Sequence, residues 1–206
     1  MTGKAKTDTK SKDRTAVIRG FASSVALASA LALSACGADS LPFMDKEIIL
    51  PCPNYYILED AANLTQFQEG PGRDIIDVLA RARIGEMQLS CLSDIDTKTD
   101  SGKMVVDVSP IIAAEMGPAN TSNTATLPYF VVVTDPDKKI LYREPLSVRV
   151  SFEGNKTQIV LIAPPTSIEL PITPKIRNDY YRIYSGFELT KEQVEYNRKA
   201  IQDRLQ

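Results

Sequence analysis

The chain has 206 residues, 43% of them hydrophobic, with 24 Lys and Arg against 26 Asp and Glu and no histidine. Without histidine it cannot assemble a Ser-His-Asp or Cys-His nucleophile or a histidine-ligated zinc. The formal net charge of −2 provides no basic excess for a nucleic-acid partner, and none is expected.

In the leading segment Lys4, Lys6, Lys10, Lys12, Arg14 and Arg19 outweigh Asp8 and Asp13, and an uncharged run from Phe21 to Leu33 follows. A membrane-spanning helix needs about 20 apolar residues, so this shorter run reads as the hydrophobic part of a cleaved signal peptide over 1–35. Leu33-Ser34-Ala35-Cys36 resembles, at every position, the lipobox by which bacteria attach lipid to a cysteine. The resemblance implies cleavage before Cys36 and acylation of Cys36 with palmitate-like chains. A plain signal peptide, cut at an Ala-x-Ala site, is the alternative and would leave Cys36 a free thiol. Two or three acyl chains, at about 0.8 kcal/mol per buried methylene, give an essentially permanent membrane anchor. Gly37 stands where some inner-membrane lipoproteins carry Asp, which favours the outer membrane with the protein facing the periplasm.

The leader takes six of the 24 basic and two of the 26 acidic residues, so the remaining 171 residues carry 18 against 24, a net charge of −6. That length suits one domain burying roughly 70% of its unfolded surface. Its acidity argues against electrostatic adhesion to an anionic bilayer, leaving the lipid as the anchor. Residues 36–46 read as a tether. Cys52 and Cys91 then remain, and an exported compartment favours a disulfide between them. Two cysteines do not make a tetrahedral zinc site, so neither a metal nor a cofactor is expected.

From residue 47 to 187 the pattern is that of an all-β, mainly antiparallel β-sandwich, immunoglobulin-like or similar. Asp74–Ile84 places Ile76, Val78, Ala80, Ala82 and Ile84 on even positions, which favours a strand, although Ile75, Leu79 and Ala82 behind an Asp also fit an amphipathic helix. Past Gly85 the apolar residues move to odd positions, Met87, Leu89 and Cys91, the phase change of a β-bulge. Cys91 is thereby turned inward, toward a strand carrying Cys52. Asp74 and Asp77, on opposite faces of such a strand, make a poor acid pair. Asp94, Asp96 and Asp100 suggest a calcium loop, but Lys98, Thr99 and Val105 stand where its ligands and glycine belong. A solvated hairpin tip turning at Asp100-Ser101-Gly102 fits better.

Met104, Val106 and Val108 alternate with Lys103 and Asp107, and Tyr129–Val133, apolar throughout, reads as a central strand. Between them Gly117–Thr126 is a loop rich in small polar residues. Asp135-Pro136-Asp137-Lys138 has the residues of a type I turn and predicts a hairpin. Val148, Val150 and Phe152 alternate with polar residues, and Gly154-Asn155 predicts a second tight hairpin, to Thr157–Ile162. Ile168–Ile172 and Tyr180–Phe187 are further strands, parted by the Pro174 loop. Tyr180, Tyr181, Arg182 and Tyr184 suit either sugar stacking or cross-strand packing. Over 188–206, Thr190 and Gln193 form a capping box ahead of Val194, Ile201 and Leu205, so a short α-helix closes the chain. It either packs on the sandwich or projects toward a partner.

Taken in order, the lipobox, Cys52-Pro53, Gly72-Arg73-Asp74-Ile75, Cys91, Gly117-Pro118, Pro128-Tyr129-Phe130-Val131, Gly186-Phe187-Glu188-Leu189-Thr190 and Tyr196-Asn197-Arg198 resemble a group of uncharacterised bacterial cell-envelope lipoproteins. That resemblance implies an envelope location and a sandwich domain. It brings no catalytic residues. The expectation is a non-catalytic interaction or assembly module, lipid-anchored and docking an envelope protein. A peptidoglycan or glycan binder and a carboxylate-based envelope hydrolase are the alternatives.

Overall fold

A computed structural model describes residues 48–204; the signal peptide, Cys36 with the rest of the tether 36–46, residue 47 and residues 205–206 lie outside the described residues. Strands β1 (Asn54–Ile57), β9 (Arg182–Phe187), β5 (Thr124–Thr134) and β6 (Ile140–Ser151) form one sheet in that order. The other runs β2 (Asn63–Phe67), β3 (Val78–Asp96), β4 (Ser101–Met116) and β7 (Gln158–Ile162), with β8 (Thr166–Ile172) on β4 beyond β7. Helix α1 (Lys191–Arg204) follows β9. The fold is the expected β-sandwich. Its pairings are antiparallel except that β1 joins β9 in parallel.

Alternating apolar residues turn inward from both sheets, as a face-to-face sandwich requires. Ile84, Met104, Val106, Val108 and Ile112 from the β3–β4 side meet Leu127, Tyr129, Ile183 and Phe187 from the other in one buried cluster. The phase change at Gly85 is a real bulge: Ile84 faces Ile112, whereas Glu86 already faces Ile111. Consequently the inward positions switch from Val78, Ala80, Ala82 and Ile84 to Met87, with Leu89 and Cys91 half-buried against the core. The hairpin turns at 97–100, ahead of the expected Asp100-Ser101-Gly102, so that Gly102 already lies on β4, paired with Ile95 and hard against the Asp94 carbonyl of β3, where there is no room for a side chain.

The strand expected from Asp74 instead begins at Val78. Asp74 and Asp77 form a capping box around a short 3-10 turn, Ile75–Asp77, and Ile75 and Ile76 are exposed. Local side-chain to backbone bonds offer the chain a turn in competition with the ladder, and here the turn prevails. Cys52 also departs from expectation, standing two residues ahead of β1 rather than on a strand. It is nevertheless bonded to Cys91, with the Cα atoms 5.5 Å apart. The backbone N–H of nearby Leu50 donates to the Ser93 hydroxyl at 3.4 Å, so this segment passes beside β3.

The Asp135 turn forms its hairpin, with the Asp135 carboxylate accepting from the N–H groups of Asp137 and Lys139. The Gly154 turn does not. Gly154 has φ +61°, as a tight turn needs, but β6 pairs with β5 and β7 with β4, so the turn carries the chain from one sheet to the other. Alternation identifies a strand with one wet face; it does not choose its partner.

At the inner side of β6 the Tyr142 hydroxyl donates to Glu144. Burial first, then the bond and the charge of Glu144, push the Tyr142 phenol up to about 12. Burial also raises Tyr129 and Tyr181. A raised pKa means that the folded state holds the phenolic proton more tightly than the unfolded chain. This contribution to stability is therefore complete below about pH 10 and is lost as pH rises through about 12. Denaturant midpoints measured between pH 9 and 12 should fall, and Tyr142→Phe should flatten part of that fall. An identical pH slope in that variant contradicts the assignment.

Candidate functional site: a groove beside the terminal helix

Helix α1 starts at Lys191, later than residue 188, because Glu188 still extends the sheet: its N–H donates to the Pro128 carbonyl and its carboxylate pairs with Arg143. The predicted capping box forms, with the Thr190 N–H on the Gln193 side chain and the Gln193 N–H on the Thr190 hydroxyl. One turn further on, Asn197 is buried and donates to the carbonyls of Asp60 (3.1 Å) and Asn63 (2.7 Å). Gln193 donates to the Thr65 carbonyl at 3.2 Å. Residues four apart on a helix rise about 6 Å, close to the spacing of about 6.7 Å between alternate residues of a strand. Two amides one turn apart thus occupy alternate carbonyls on the edge of β2. A covered edge cannot recruit a stray strand. Arg198 adds a fork of bonds to Asp60.

Tyr196 packs edge-on against Phe67 of β2 with ring centroids 5.7 Å apart, and with Ala200 and Ile201 it forms one wall of a groove of about 610 Å³ over the outer face of the sheet. Two cross-strand rows make the floor. One runs Asn63, Arg83, Ala113, Val160; the other runs Thr65, Arg81, Glu115, Gln158. Arg81 and Arg83 point outward because Ala80, Ala82 and Ile84 take the inward positions of the same strand. Among the described residues neither arginine forms an ion pair, although other arginines pair with Glu192, Glu188, Asp100 and Asp60. Across the floor Val160 is 72% exposed and Tyr196 41%. An anchored anion with an apolar flank is what these groups can hold.

The residues singled out from sequence fall elsewhere. Tyr181 is in the core with its hydroxyl on the Pro171 carbonyl at 2.5 Å, while Tyr184 stacks on Tyr56 at 5.3 Å between centroids. The four side chains Tyr180–Arg182 and Tyr184 therefore serve different layers and form no single stacking platform. At the β3–β4 tip, Asp96 accepts from the N–H groups of Lys98 and Thr99, and Asp100 pairs with Arg177 at 2.6 Å. No group of three or more metal-binding side chains occurs among the described residues. In the loop before β5, Asn120 bonds the carbonyls of Leu79 and Thr124.

No protein-family model matches the chain, and no curated protein matches it. A solved structure, the variable (V) domain of the Streptococcus agalactiae AgI/II polypeptide BspA, is 8% identical over 64% of this chain and 75% of that one, with a TM-score of 0.16. A likeness of that size carries no inference about function.

Proposed function

We propose that this chain is a lipid-anchored, non-catalytic module of the bacterial cell envelope, most consistent with the outer membrane and the periplasmic side, that docks a protein partner. The observation that carries the reading is the Cys52–Cys91 disulfide in the domain that follows the lipobox cysteine. Disulfides persist in oxidising compartments, which supports export, and Cys36 supplies the means of retention. The groove beside α1 supplies a surface suited to a partner. A glycan-binding module is the second reading, favoured by the two arginines and Tyr196 at that groove. A two-carboxylate hydrolase needs a pair of acids at a set separation, and Glu115 is the single carboxylate among the described groove residues.

Fractionation tests the anchor. Cys36→Ser should abolish acylation and normal processing, leaving either an unprocessed precursor held by its leader or, where the chain is cut elsewhere, a soluble periplasmic protein, and in neither case an acylated chain of mature size. Normal processing and membrane retention of that variant overturn the reading.

A further inference from the structure

We infer that the groove binds an extended peptide segment of a partner protein bearing acidic side chains at alternate positions, Glu-x-Glu or Asp-x-Asp. The inference rests on the docking reading above and gives that partner its chemistry. Arg81 and Arg83 stand two residues apart on β3 and on the same face of the sheet. Their spacing of about 6.7 Å along the strand is the spacing at which an extended peptide repeats its own same-face side chains. Two carboxylates on such a peptide therefore meet both guanidinium groups without distortion, and each forms the charge-assisted fork that arginine favours.

Neighbouring residues set the lane. Ala113, beside Arg83 in its row, offers only a methyl group and leaves room for a second backbone above the floor. Tyr196 and Val160 flank that room with exposed apolar surface. Glu115 lies directly across from Arg81 and repels an acid on its side, which confines the acidic side chains to the arginines. The surrounding protein is acidic, with 24 carboxylates against 18 basic residues once residues 1–35 are removed. An acidic segment is thus repelled over much of the surface and attracted here, an arrangement that gives register and specificity.

The test uses the mature acylated protein in neutral detergent micelles and two fluorescein-labelled peptides of one composition, Ser-Glu-Ser-Glu-Ser-Glu-Ser and Ser-Glu-Glu-Ser-Ser-Glu-Ser, the second of which has no two acids at alternate positions. Fluorescence anisotropy should show saturable, salt-sensitive binding of the alternating peptide and several-fold weaker binding of the rearranged one. Arg81→Gln with Arg83→Gln should weaken the alternating peptide by about tenfold or more, as expected for two lost charge-assisted bonds. Glu115→Gln should strengthen it, a gain that misfolding does not produce. Absent binding, equal binding of the two peptides, or an affinity unchanged by the arginine substitutions overturns the inference. So does tighter arginine-dependent binding of polygalacturonate, which would make the groove a glycan site. Failure here with Cys36 acylated leaves the anchor standing, whereas peptide binding by a protein without acylation does the reverse.

Discussion

Reduction of the Cys52–Cys91 bond is expected to lower the unfolding free energy by about 4 kcal/mol, the chain-entropy value for a loop of about 40 residues. The sequence separation is 39, and the bond ties the segment entering β1 of one sheet to β3 of the other. Reduction should therefore free the start of the domain first, with β1 released from β9 before the β3–β4 hairpin is affected. Urea titration with and without reductant measures the loss, and hydrogen exchange along β1 and β3 gives its order. Two freely alkylated thiols in the untreated folded protein, or a midpoint unchanged by reductant, would refute this account of the domain's start.

Asn197→Ala carries the second large effect. Its side-chain amide is buried, and its removal strips hydrogen bonds from two backbone carbonyls, those of Asp60 and Asn63. Losing the amide that serves these two partly buried carbonyls costs about 2–3 kcal/mol, and a domain of this size then melts roughly 5–10 °C lower. Freed from the amide, the edge of β2 is also left open, so the variant should aggregate at high concentration. Glu195→Ala, on an exposed position of the same helix, should change the stability by no more than about 0.5 kcal/mol. Equal melting of the Asn197 and Glu195 variants would mean that the amide is not what fastens α1.

These two features differ in how visibly the sequence carries them. The Gly85 bulge, the Asp135 hairpin and the capping box at Thr190 depend on local chemistry and periodicity and appear where the residues place them, and the Cys52–Cys91 pair forms as the cysteine count and export imply, although Cys52 stands off the strand expected to carry it. What escapes is partnership. Val148, Val150 and Phe152 alternate identically whether the following strand pairs with them or crosses to the other sheet, and β7 crosses. The parallel joining of β1 to β9 links the two ends of the domain and has no local signature. Asp74 misled for the opposite reason, since its apolar followers fit a strand while its own N–H, donated to the Asp77 carboxylate, closes a turn.

The candidate site is partly legible in the same sense. Arg81 and Arg83 interrupt an apolar run at every second position, which marks them as outward on a strand. That pattern names no neighbours. Ala113, Val160 and Tyr196 come beside them through the β3–β4–β7 register and the docking of α1, both of them long-range pairings. Asn197 as the cover of a strand edge is likewise invisible without β2 in place.

Mass spectrometry of the N-terminal peptide of the protein extracted from membranes tests the central claim most directly. The account predicts a chain that begins at Cys36 and carries diacylglyceryl and acyl groups on that residue, with Cys52 and Cys91 joined. A chain that retains residues 1–35, or begins elsewhere with an unmodified Cys36, would contradict it.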